Sequence, residues 1–182
     1  MIEIRIHGRG GQGIVTSGEL LGFAAFSDGK YAQVYPSFGS ERMGSAVTTY
    51  VRIDDHPIRI RTPIYNPDFV IIQDPTLLNT EPVLEGLKPG GVVLVNTKKS
   101  ADALSLNLNS RLFTIPAAEL AMEVLGRPIV NTTILVAFAA ASGAISLEGI
   151  RSALEHRFPK ELAEKNLKAA TKGYNFIKEM KR

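Results

Sequence analysis

The sequence predicts an α/β fold of three layers, built on a mainly parallel sheet with an added hairpin. Three observations predict it. Short apolar runs bounded by turn residues alternate with helix-like segments along most of the 182 residues, the order expected of a layered α/β protein. Two of those runs, Phe69-Val70-Ile71-Ile72 and Val92-Val93-Leu94-Val95, are apolar throughout, as parallel strands covered on both faces are. The third observation is Gly8-Arg9-Gly10-Gly11-Gln12-Gly13, a G-x-G-x-x-G pattern between a strand-like and a helix-like segment. That context makes it a Rossmann-like first turn.

The elements follow in order. Ile2, Ile4 and Ile6 alternate with polar residues and read as a first strand. After the glycine loop, residues 14–26 carry apolar positions at helical spacing and stop at Asp28-Gly29. Residues 31–35 read as a second strand ended by Pro36. A loop of small residues with a charged pair, Ser37-Phe38-Gly39-Ser40-Glu41-Arg42, comes next. Residues 46–53 are β-rich, Asp54-Asp55 signals a turn and residues 57–61 alternate again, which predicts a hairpin between these two stretches. The two apolar strands follow, with a helix expected to begin at Asp74-Pro75-Thr76 and a Lys88-Pro89-Gly90-Gly91 loop between them. Residues 112–115 make a further short strand. The last third is helical: 117–125 ended by Gly126, then 132–141 with Asn131 as its N-cap, then 147–157 and 160–177. In the last of these, Leu162, Asn166, Leu167, Ala170, Tyr174 and Ile177 share a face. No repeat or linker divides the chain, so residues 1–182 are expected to form one domain.

Composition narrows the function. Apolar residues make up 45% of the chain, and 21 basic against 18 acidic residues leave a net charge of +3, gathered mainly in the last helix. No basic stripe with interleaved aromatics suggests nucleic acid. The chain has no cysteine and therefore offers no thiolate for an iron–sulfur cluster, a disulfide or nucleophilic catalysis. His7, His56 and His156 are scattered without metal-ligand spacing, so no metal site is expected. There is no G-x-S-x-G elbow and no Walker pattern, and no catalytic residue is assigned. The start of the chain lacks the layout of a signal peptide, and the apolar run 134–141 is too short to span a bilayer; a cytoplasmic protein is expected.

The glycine loop, Gly8 to Gly13, is the leading binding candidate. Glycines let backbone N–H groups approach an anion at the positive end of a helix, and Arg9 could add a charge-assisted contact. Packing of helix against strand, or close approach of another subunit, is the alternative use of the same glycines. A dinucleotide site also needs an acid at the end of the second strand, about 20 residues on. Lys30-Tyr31-Ala32-Gln33-Val34-Tyr35 has none there, which weakens a NAD reading. Ser37, Phe38, Glu41 and Arg42 are offered as subunit or cofactor contacts, against the plainer reading of Glu41 and Arg42 as a surface ion pair. Asp74 is open to a catalytic role or to ordinary helix-start chemistry.

The glycine loop together with Pro36-Ser37-Phe38-Gly39-Ser40-Glu41-Arg42 resembles the gamma subunit of 2-oxoacid:ferredoxin oxidoreductases. The resemblance continues through Asn66-Pro67-Asp68, Asp74-Pro75-Thr76, residues 85–91, Val95-Asn96-Thr97, Gly126-Arg127-Pro128 and Asn131-Thr132, and so covers nearly the whole chain. Met43 departs from it, standing where the family pattern commonly has a second arginine. The resemblance implies an enzyme that converts a 2-oxoacid and coenzyme A to acyl-CoA and carbon dioxide while reducing ferredoxin. It implies thiamine diphosphate, magnesium and iron–sulfur clusters on alpha, beta and delta-type partner subunits. For this chain it implies assembly and contact with coenzyme A through the glycine loop. Pyruvate, 2-oxoglutarate and branched-chain acids are all compatible with it, as is pairing of the isolated chain with a second copy. The rival readings are an independent NAD(P)-binding oxidoreductase, a purely structural subunit, and the small subunit of an indolepyruvate:ferredoxin oxidoreductase.

Overall fold

A computed structural model describes residues 1–37, 43–106 and 108–180. Six strands form one sheet: β1 (Ile2–Arg9), β2 (Tyr31–Ser37), β3 (Ala46–Asp54), β4 (Phe69–Ile72), β5 (Val92–Asn96) and β6 (Arg111–Ile115). Their order is β2-β3-β1-β4-β5-β6. β1, β4, β5 and β6 are parallel, whereas β3 runs antiparallel to both β1 and β2. The helices are α1 (Ile14–Ser27), α2 (Leu77–Thr80), α3 (Ala117–Leu125), α4 (Asn131–Ser142), α5 (Leu147–Arg157) and α6 (Lys160–Met180).

The alternation in β1 sends Ile4 and Ile6 to one face and Arg5 and His7 to the other. Ile4 and Ile6 join the main core, where α1, α4, α5 and α6 cover the sheet and the Ala-rich α4 is buried nearly all round. Apolarity all round is the mark of a helix enclosed by others. Phe138 of α4 meets Phe69 of β4 edge-on, ring centroids 5.1 Å apart. Val70, Ile72, Val93 and Val95 point the opposite way into a second, smaller core. One-turn α2, a 3₁₀ turn at Asp102–Leu104 and the loops around them cover that side. The expected three layers are thus present, with the third thin and mostly irregular.

Several expectations need correction. The hairpin lies between β2 and β3, not between residues 46–53 and 57–61. Both edges of β3 are already occupied, by β1 and β2, so residues 57–61 cannot form a hairpin with it. Pro36 does not end β2 but sits within it, opposite Thr49. β2 is the edge of the sheet, where a strand can do without one N–H donor. The helix expected after Asp74 is only one turn long, because Glu81-Pro82 breaks it. Asn131 is the first residue of α4 rather than its cap; Val130 takes the cap position without a side-chain hydrogen bond. On α6, Leu162 is 41% exposed and leaves the expected stripe; Ala163, Asn166, Ala169, Ala170, Gly173 and Ile177 are buried, with Leu167 and Tyr174 packed partly buried beside them.

Candidate anion-binding crevice

From β1 the chain turns to α1 on the main-core face, and from β4 it turns to α2 on the opposite face. The two strands are neighbours, so their carboxyl ends diverge and leave a crevice between them. This is the switch point at which open α/β sheets place ligands. The glycine loop lies on one side of it and Asp74 with Thr76 on the other.

A network ties the two sides together. The Nε of Arg9 lies 3.2 Å from Asp74 Oδ2, and the Nε2 of Gln12 donates to the same oxygen at 2.9 Å. Asp74 Oδ1 accepts from the backbone N–H of Thr76 at 3.0 Å and from its hydroxyl at 2.6 Å. Arg9 also donates to Thr76 Oγ1 at 2.8 Å and to the carbonyl of Gly44 at 3.0 Å. Gln12 Oε1 accepts from the backbone N–H of Arg9 at 2.8 Å, and Gly10 N–H donates to the Ser45 carbonyl at 2.8 Å. Burial pushes the Asp74 carboxyl up, but the bonds from Thr76 and Gln12 and the Arg9 charge outweigh it and hold it below the usual carboxylate range. Asp74 is a charged tether at neutral pH. Arg9 is occupied within the protein by three partners rather than standing open to a phosphate.

The open side of the loop faces elsewhere. Gly13 caps α1 in the left-handed region, φ 70°, with no side-chain hydrogen bond. A Cβ there would run into the Asn131 amide, so glycine is required on both counts. Residues 11–13 and 128–131 line a cavity of about 290 Å³. Two helices therefore begin at its wall, α1 and α4. Neither has a side-chain cap or an acidic residue in its first turn. The positive dipole ends of both helices thus border one space, an arrangement that favours an anion.

Behind the crevice runs a buried polar ladder. Gln73 is 2% exposed. Its N–H donates to the His7 carbonyl at 2.8 Å, and its Nε2 to Ser17 Oγ at 2.5 Å. Asn96 Nδ2 donates to the Gln73 carbonyl at 3.0 Å, while Asn96 Oδ1 accepts from the N–H of Ala117 at 3.0 Å. His7 faces the thinner layer, its Nδ1 3.1 Å from Thr48 Oγ1. Burial, with help from the nearby Arg5 charge, pushes its pKa down to about 3, so the ring is neutral. It belongs to the structure beneath the loop.

Of the six glycine-loop positions, Gly11, Gln12 and Gly13 line the cavity, Arg9 joins Gln12 in the network with Asp74, and Gly8 is buried against Ile14. Ser37 closes β2 opposite Thr48, which in turn stands opposite His7, so it shares the carboxyl edge but lies two strands from β1. Phe38, Glu41 and Arg42 lie outside the described residues. Sequence reasoning missed the parts played by Gln12, Gln73 and Asn131. A polar residue directly after each buried strand, Gln73 after Ile72 and Asn96 after Val95, was the available signal. The topology also speaks against a dinucleotide site. In such a site the second strand lies beside the first, and here β3 separates them by roughly 10 Å.

Comparison with known proteins decides the family. The model of the pyruvate ferredoxin/flavodoxin oxidoreductase family matches residues 3–176. The chain belongs to that family. It is 51% identical over 178 residues to the pyruvate/ketoisovalerate oxidoreductases common subunit gamma of Thermococcus kodakarensis, covering 96% of each chain. It is 50% identical over 175 residues to the pyruvate synthase subunit PorC of Methanocaldococcus jannaschii, again with 96% of each covered. The crystal structure of pyruvate oxidoreductase subunit PORC from Thermotoga maritima superposes with a TM-score of 0.85 at 34% identity, over 96% of this chain and 95% of that one. The fold also recurs at a TM-score of 0.81 and 21% identity in the 2-oxoglutarate:ferredoxin oxidoreductase of Magnetococcus marinus, of whose chain it spans 31%. This chain is a gamma subunit of the 2-oxoacid:ferredoxin oxidoreductases and works as part of a multi-subunit oxidoreductase. Among the described residues no helix is long and apolar enough to cross a membrane.

Proposed function

We propose that the chain serves a cytoplasmic pyruvate-type enzyme with alpha, beta and delta-type partners, and that its own task is to hold the anionic end of coenzyme A. The observation that carries this reading is that two uncapped helix N-termini, those of α1 and α4, border the cavity lined by residues 11–13 and 128–131. Each helix end acts as roughly half a positive charge, and each favours an anion by about 0.3–1 kcal/mol. Coenzyme A brings phosphates of the required charge. The Magnetococcus marinus enzyme that shares the fold was solved with 2-oxoglutarate, coenzyme A and succinyl-CoA bound, which supports the same ligand class here. The relatives named for pyruvate and ketoisovalerate support a small 2-oxoacid, and favour it over indolepyruvate.

The division of labour rests on residue chemistry. Without cysteine the chain has no thiolates for iron–sulfur clusters, and among its described residues no three His, Asp or Glu side chains gather as metal ligands. Thiamine diphosphate, magnesium and the clusters then reside on the partner subunits and supply the carbanion and electron-transfer chemistry. Residues 11–13 and Asn131 orient the phosphates. Arg9, Asp74 and Gln12 hold the loop in the shape that leaves its open side toward the cavity.

Asn131→Asp in the assembled enzyme is the test, since it adds a negative charge at the cavity wall with almost no change in volume. The reading expects KM for coenzyme A to rise about tenfold or more, with the coenzyme-A-independent reduction of the clusters by the 2-oxoacid unchanged. An unaltered KM contradicts it.

A further inference from the structure

One strand-like stretch of the sequence pairs with no strand in this fold. Residues 57–61 read Pro-Ile-Arg-Ile-Arg, yet β1 and β2 already fill both edges of β3. Among the described residues, the backbone of residues 57–61 makes no hydrogen bond. Arg59 and Arg61 are exposed and have no acidic partner among the described residues, and Ile60 between them is 46% exposed.

The stretch is nevertheless anchored. Arg52, 2% exposed, donates to the Thr62 carbonyl at 2.9 Å and to the Pro63 carbonyl at 3.4 Å. Ile64 is buried just beyond, and at the other end the His56 N–H donates to Asp54 Oδ1 at 3.2 Å. Pinned ends lower the ordering entropy that docking would otherwise cost. Backbone donors and acceptors left to water, on a pre-positioned alternating segment, are what an added strand uses.

We propose that residues 57–61 are a docking strand, on which an acidic extended segment of another subunit of the enzyme pairs its backbone and sets carboxylates against Arg59 and Arg61. Charge selects this occupant over a second copy of the chain. Two-fold antiparallel pairing of the stretch with itself about Ile60 sets Arg59 opposite Arg61, and like charges directly opposite are destabilising. Arginine also suits a desolvated contact with carboxylates, through its fixed fork of donors.

Hydrogen exchange at the amides of Ile58, Arg59, Ile60 and Arg61 tests this in the intact complex and in the isolated full chain. The docking strand predicts exchange slowed by about tenfold or more in the complex and fast exchange in the isolated chain at every concentration. It also predicts that the double variant Arg59→Glu/Arg61→Glu assembles about tenfold more weakly, while Arg59→Lys/Arg61→Lys restores most of the affinity. Unchanged circular dichroism checks that the variants fold, as both side chains are exposed. Equal exchange in the complex and the isolated chain overturns the proposal. Protection that grows with the concentration of the isolated chain overturns it in favour of self-pairing. Protection in the complex with no effect of charge reversal overturns the acidic partner.

Discussion

Arg9 and Asp74 meet across the crevice between β1 and β4, Nε to Oδ2 at 3.2 Å, and so join two loops 65 positions apart in the chain. The pair is not a lone surface bridge. Asp74 also accepts from Thr76 and Gln12, and Arg9 also donates to Thr76 and Gly44. The glycine loop therefore has a fixed shape before any ligand arrives, which is what an anion cradle needs.

Asp74→Asn should loosen that clasp. With the Asp74 side chain 13% exposed and Arg9 32% exposed, the expected loss is about 1 kcal/mol, read as a lower denaturation midpoint with an unchanged slope. The pH dependence carries the sign. The folded Asp74 carboxyl lies below its ordinary 3.8, so its contribution is complete above that value and fades as the pH falls through the folded pKa. The gap between wild type and variant should be constant near neutrality and close under acid.

His7 should make the fold acid-sensitive in a higher window. It is neutral in the folded chain down to about pH 3 but takes up a proton near 6.5 when unfolded. The unfolded state thus binds more protons between those values. Stability falls as the pH drops through that window, with a slope approaching about 1.4 kcal/mol per pH unit from this group. His7→Gln should flatten urea-unfolding stability between pH 6 and pH 4; an unchanged slope would assign the acid sensitivity to other groups.

Gly18→Ala tests how closely α1 lies on the sheet. An added Cβ would stand 2.5 Å from Thr49 Cγ2 and 3.1 Å from Val34 Cγ1, on two strands of the hairpin. Neither neighbour is a flexible side-chain end, so a cost of about 1–3 kcal/mol is expected in thermal or urea unfolding. The gain in helix propensity from alanine, about 1 kcal/mol, is the smaller effect.

The parts of this fold that were legible are those set by local periodicity. β4 and α3 were read to the residue, since a four-residue apolar run and a helix ended by Gly126 carry their own boundaries. Residues 57–61 were misread because alternation identifies a strand-like segment without telling which sheet edges are free. The crevice itself was legible through the glycine pattern and its place after β1. Its furnishing was not. Gln12 meets Asp74 across 62 positions, and Gly13 lies against Asn131 across 118, distances over which no turn or helix spacing operates. Asn131 shows the same limit from the other side. An asparagine before an Ala-rich run is a sound local cap signal, but tertiary packing turned it into the first helical residue beside the loop.

The most direct test of the coenzyme A reading is photo-crosslinking of the intact complex with a coenzyme A analogue carrying a photoreactive group near its phosphates, followed by peptide mapping. Label recovered from residues 8–13 and 126–131 of this chain, and suppressed by excess coenzyme A, is the predicted result. Label confined to the other subunits, with the complex intact, would contradict it and leave the gamma chain an assembly subunit alone.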